Sequence, residues 1–356
     1  MKELPATLSS SSNRSALTRS LHFALFLAGC FWLFAATRIS SLAAQGIANQ
    51  LDLAVLEPLL QQASLVLLLL VAFAVLDWMV NRHLSLRSAN ALPRRLTSGQ
   101  EWLRGAALGW GTLLLAIAPM VITGALHPQF WLAPRSWGLA LLALITLAFF
   151  TLGLELAFRG YLFVRLIAAI GPVAATILLS LLYALLSAFR PNATWLSISI
   201  TFLMGVWFSA AYLRTHALWV GWGLHFAWDA AMAVVFGLPI AGYPSYSSLI
   251  TTTVSGPVWF TGGAYGPEGA ALTLVVITAS IAMLYRITRG YAWDYTHAPI
   301  VAMGYPMTIA PPAAHTAMEA EAAAQPASLV QIATATPANA STVPEIDEHL
   351  RTAEED

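Results

Sequence analysis

Charge is what this sequence has least of. Only 10% of its 356 residues are Asp, Glu, Lys or Arg, where a soluble globular domain carries about 25%. Mean hydropathy is +0.70, and 58% of the residues are apolar. A chain so poor in charge cannot cover itself with a water-facing surface, which makes it an integral membrane protein whose first partners are lipids. The 17 acidic and 17 basic side chains cancel, leaving no electrostatic argument for nucleic acid as a partner. Cysteine is nearly absent: Cys30 alone excludes an intrachain disulfide and a cysteine-based metal site. Also missing are a Gly-rich phosphate loop after a strand, an HExxH zinc helix and internal repeats.

The apolar residues fall into long runs. At about 20 residues per crossing, they predict an all-α, polytopic fold of eight transmembrane helices, near 21–36, 64–81, 103–123, 137–163, 172–189, 196–213, 217–237 and 270–288. Only FRPNATW, residues 189–195, joins the fifth to the sixth, so one of that pair is expected to stop short of the far surface. Lys2, Arg14 and Arg19 precede the first run, and no small-residue cleavage site follows before Arg38, the pattern of a retained signal anchor.

With the N-terminus inside, Lys2, Arg14, Arg19, Arg82, Arg87, Arg94, Arg95, Arg104, Arg165, Arg214, Arg286 and Arg289 collect on the inner side. Arg38, Arg135 and Arg190 fall outside. That bias predicts a multi-pass cell-membrane protein with both termini cytoplasmic. The chain divides into a cytoplasmic segment 1–20, N-terminal helices over 21–136, a membrane core 137–290 and a cytoplasmic tail 291–356. The basic inner loop 82–104 is expected to be solvated against anionic lipid. The tail, rich in Ala, Pro and Thr and ending EIDEHLRTAEED, buries too little apolar area to offset chain entropy and is expected to be disordered.

Two polar pairs interrupt the core. Glu155 and Arg159, in GLELAFRG, stand four residues apart and so on one helical face. Charges in hydrocarbon are costly unless they are paired in a protein-lined cavity. His225 and Asp229, in GWGLHFAWD, repeat that spacing, and a carboxylate one turn from an imidazole suits a proton-handling or oxyanion-binding histidine. Gly171 and Pro172 mark a helical hairpin whose turn lies 16 residues from both Glu155 and Ser187. Equal offsets put those two at one depth, roughly 24 Å from the tip. Asp77, near the inner end of its segment, is expected to be a solvated anchor.

These stretches resemble the CPBP intramembrane endopeptidases, the CAAX prenyl proteases and Abi proteins. ELAFRGYLF, YLRTHALWVGWGLHFAWD, GLPIAGY and FTGGAYGPEGA carry the resemblance, which runs from about Leu139 to Leu284 and so spans the core 137–290. It implies hydrolysis of a membrane-anchored or prenylated peptide tail, with a glutamate and a histidine activating water and a second histidine with its partner binding the oxyanion. The family's EExxxR falls on Leu154, Glu155 and Arg159, so the first glutamate is leucine. FxxxH falls on Tyr183 and Ser187, so its histidine is serine. HxxxD falls intact on His225 and Asp229.

Leu154 cannot accept a proton, and Ser187 would itself need a base. Glu155 is left as the base that the resemblance implies, while its pairing with Arg159 works against that role. Glu155, His225 and Asp229 would be the only ionisable ligands for a divalent ion, so no metal or other cofactor is expected. Three functions follow: an intramembrane endopeptidase, a non-catalytic relative that binds such segments as a scaffold, and a transporter using the Glu/Arg and His/Asp pairs as a proton path.

Overall fold

Helices that are apolar on every side need lipid around them, and α1 (Ala6–Gln50) is the extreme case. It runs for 45 residues and leaves Phe31 75% and Leu42 70% exposed. The computed structural model describes residues 6–82, 85–93, 95–244 and 249–290. The proposed tail lies outside the described residues. α2 (Glu57–Asn81) starts on Pro58, where a missing N–H costs nothing, and stops at Arg82, whose left-handed backbone returns its N–H to the Trp78 carbonyl. A single turn, α3 (Leu86–Ala89), leads to α4 (Ser98–Ile122), strand β1 (Leu126–Phe130) and α5 (Pro134–Arg159).

Next come α6 (Tyr161–Ile170), α7 (Pro172–Ser187) and α8 (Trp195–Thr215), the last opened by a reciprocal cap between Thr194 and Ser197. α9 (Trp219–Ala230) continues into a π-helical stretch, Ala231–Val235. β2 (Ile250–Val254), the short α10 (Val258–Thr261), two 3-10 turns and α11 (Ala271–Ile287) complete the described chain. One finding departs from an all-helical expectation: β1 and β2 pair antiparallel, from Leu126 opposite Val254 to Phe130 opposite Ile250.

The molecule is an all-α, polytopic membrane protein, as expected. Among the described residues, five helices are long and apolar enough to cross a membrane, within Thr18–Gln50, Ala54–Val80, Ser98–Ile122, Pro134–Ile170 and Trp195–Thr215. The first segment, expected to be short, belongs to the 45-residue α1. α7 and α11 have 16 and 17 residues, about 24–26 Å at 1.5 Å per residue, which is less than the roughly 30 Å of hydrocarbon.

Three other expectations are corrected. The turn at Gly171 and Pro172 is present, with Gly171 at φ 87°, but the helix before it breaks at Gly160, so the arm joined to α7 is the short α6. A Cβ at Gly160 would press on the Leu156 carbonyl. The loop 82–104 is not simply solvated: Asn90, Ala91 and Leu92 are buried, and the Asn90 amide donates to the carbonyls of Leu70 and Leu86. Arg95 donates to the Thr215 carbonyl at 2.9 Å and lies 3.5 Å from the buried Glu101. Asp77 is no solvated anchor either, because the mostly buried Arg165 of α6 pairs with it and ties α2 to α6.

What positions the site is the contact of α4 with α9. Gly105 and Gly109 lie so close to α9 that a Cβ on either would run into the backbone of Val220 or Leu224, while Gly223 meets the Trp102 carbonyl in the same way. In lipid no hydrophobic drive pushes helices together, so small residues that admit close backbone approach take its place.

Candidate active site

α5 and α9 bring the two sequence-predicted pairs into one cluster. The His225 Nδ1 lies 2.8 Å from Glu155 Oε1, and Arg159 Nη1 lies 3.7 Å from the same oxygen. On the other edge of the ring, Nε2 is 3.7 Å from Asp229 Oδ2. All four side chains are at most 3% exposed. A ring nitrogen facing a carboxylate oxygen at 2.8 Å carries the hydrogen, so Glu155 sets the ring's tautomer and orientation. The Phe208 ring, stacked on the imidazole at 4.3 Å between centroids, fixes its plane.

Arg159 is held by more than Glu155. Its guanidinium sits 5.1 Å from the ring centres of Tyr183 and Phe208 and 5.5 Å from that of Phe158. Its Nη2 donates to the Gly205 carbonyl at 3.4 Å. Cation–π contacts in a desolvated setting contribute about 2 kcal/mol, which helps offset the burial of a charge.

The chamber beside this cluster is about 390 Å³. Its polar lining comes from Tyr183, Arg190, His225, Asp229, Tyr243 and Glu268, with Gln61 and Gln62 at its edge. Leu154 lines it as well, so the leucine occupies a wall of the chamber. Glu155 does not line it and stands behind His225, with Gly221 close to its Oε2. Ser187 is fully buried and donates to the Ala184 carbonyl of its own helix at 2.6 Å, and no hydrogen bond joins it to Glu155. An apolar groove of about 680 Å³ between α1, α2, α5, α6 and α7 shares Gln61, Gln62, Phe150 and Leu154 with the chamber.

Two charged lining residues were missed by sequence reasoning. Glu268, in the 3-10 turn Pro267–Gly269, is 5% exposed and takes the Trp228 indole N–H at 3.1 Å. Arg190, assigned above to an outer loop, lines the chamber as well. The available signal was the stretch FTGGAYGPEGA, whose only carboxylate is Glu268. Among the described residues, no group of three or more His, Cys, Asp or Glu side chains is arranged to hold a metal ion.

A chamber with polar lining thus adjoins an apolar groove within a bundle of membrane helices. Among known families, residues 135–231 match the one described as type II CAAX prenyl endopeptidase Rce1-like. The match covers α5 to α9, which hold both polar pairs. No curated protein and no solved structure matches the chain.

Proposed function

We propose that the chain is an intramembrane endopeptidase that takes a membrane-anchored or prenylated peptide tail into the chamber and hydrolyses it there. The observation that carries this reading is the joining of the two cavities. An apolar groove can hold a lipid anchor while the adjoining polar chamber receives the peptide. His225, clamped between Glu155 and Asp229, faces the oxygen that turns negative when the carbonyl is attacked. The purified protein, given a prenylated CAAX peptide, is expected to release the terminal peptide, read by mass spectrometry. Loss of that product in His225→Ala tests the site.

A non-catalytic binding protein is the second reading, and Leu154 and Ser187 favour it, since neither supplies a base. Peptide bound without product would establish it. The proton-path reading has less support, because the Glu/Arg and His/Asp pairs meet in one cluster rather than forming a chain across the bundle. The arginine distribution supports a multi-pass protein of the cell membrane with both termini cytoplasmic.

A further inference from the structure

Hydrolysis needs a group that accepts a proton from water, and the wall formed by Leu154 offers none. Facing the same chamber is a carboxylate from outside the matched segment: Glu268, brought in by the turn ahead of α11. Its Oε1 is committed to the Trp228 indole, but its Oε2 is buried and has no hydrogen-bond partner among the described residues. Asp229 Oδ2 is in the same condition. Buried oxygens without partners are rare and call for water or substrate. Arg190 and Asp229 both act electrostatically on Glu268, so the chamber holds two carboxylates, one guanidinium and the His225 ring.

We infer that Glu268 is the general base of this site, standing in for the glutamate replaced by Leu154. This inference rests on the hydrolytic reading above. In the step, Glu268 Oε2 takes a proton from water as the water oxygen bonds to the scissile carbonyl carbon. The carbonyl π electrons move to oxygen, which is held by His225 and Arg190. The oxyanion then re-forms the carbonyl, the C–N bond breaks, and the leaving nitrogen takes the proton from Glu268. One water and one peptide bond become a carboxylic acid and an amine. Burial, and after it the Asp229 carboxylate, push the Glu268 carboxyl up to about 7, near the value at which a base works best around neutral pH.

The test uses the full-length protein in detergent or nanodiscs, with a prenylated CAAX peptide. Glu268→Gln keeps an oxygen for the Trp228 indole and removes the base. Expected is a kcat lowered by about 10² to 10⁴ with the peptide Kd unchanged, and partial recovery when Leu154→Glu is added. Wild-type kcat in Glu268→Gln would overturn the assignment while leaving the hydrolytic reading intact. A wild-type protein that binds the peptide and never cleaves it would overturn both. Should Glu268→Gln fail to fold, Glu268→Asp decides: a lowered kcat at unchanged Kd supports the base, and wild-type kcat refutes it.

Discussion

Glu155 illustrates how one carboxylate can matter without touching a substrate. Its Oε1 serves His225 and Arg159 together, so Glu155→Gln would leave a buried guanidinium without its counter-charge. Breaking a buried pair in this way costs about 3–5 kcal/mol. The expected outcome is a clear drop in the midpoint of thermal unfolding in detergent, with Arg159→Met in the same background recovering part of it. Glu268 gives a second, pH-linked expectation. Its carboxyl lies at about 7 in the folded protein against an ordinary 4.5, so the folded state binds the proton more tightly than the unfolded chain. The stability it contributes is full below the ordinary value and declines as pH rises through about 7. Thermal unfolding followed across that interval should show the decline in the wild type and a shallower one in Glu268→Gln. Legibility at this scale was uneven: His225 and Asp229 could be found because helical spacing is local, whereas nothing local to Glu268 says which wall its turn will reach.

Among the elements, α9 carries half the cluster, and α4 sets where α9 stands. Gly109→Leu would force the two backbones apart, a case of overpacking that costs about 1–3 kcal/mol and more where the obstacle is main chain. Expected are a lowered unfolding midpoint and weakened peptide binding, while Gly111→Leu on the open side of the same helix serves as a control that changes neither. The break between α5 and α6 was not legible. Gly160 in an apolar run reads as tolerated helix interior, and only the packing of α6 against α1 and α7 shows the chain turning there. The hairpin turn at Gly171 and Pro172 was legible, because left-handed glycine followed by proline is a local stop and start.

For the whole molecule, the proposed function has the groove and chamber act in series. Leu182→Trp would fill the groove and is expected to weaken a prenylated peptide about tenfold, about 1.4 kcal/mol, while leaving the same peptide without its lipid unchanged in a binding titration. The proposed orientation is open to labelling. In a Cys30→Ser background, Ser10→Cys and Ser341→Cys should react with a membrane-impermeant maleimide only after the cells are opened, and labelling of intact cells would reverse the orientation.

Composition and spacing alone settled that the chain lives in lipid, that it is helical, and that Glu155 with Arg159 and His225 with Asp229 form two one-turn pairs. Those properties follow from solvent transfer and from a period of 3.6 residues, both written into neighbouring positions. Only tertiary structure decided that Glu155 stands behind His225 rather than in the chamber, that Leu154 forms part of its wall, and that Arg190 and Glu268 enter it from distant turns. Which side chains share a cavity depends on how close helices approach and where loops fold back, and glycines and packing far along the chain set both.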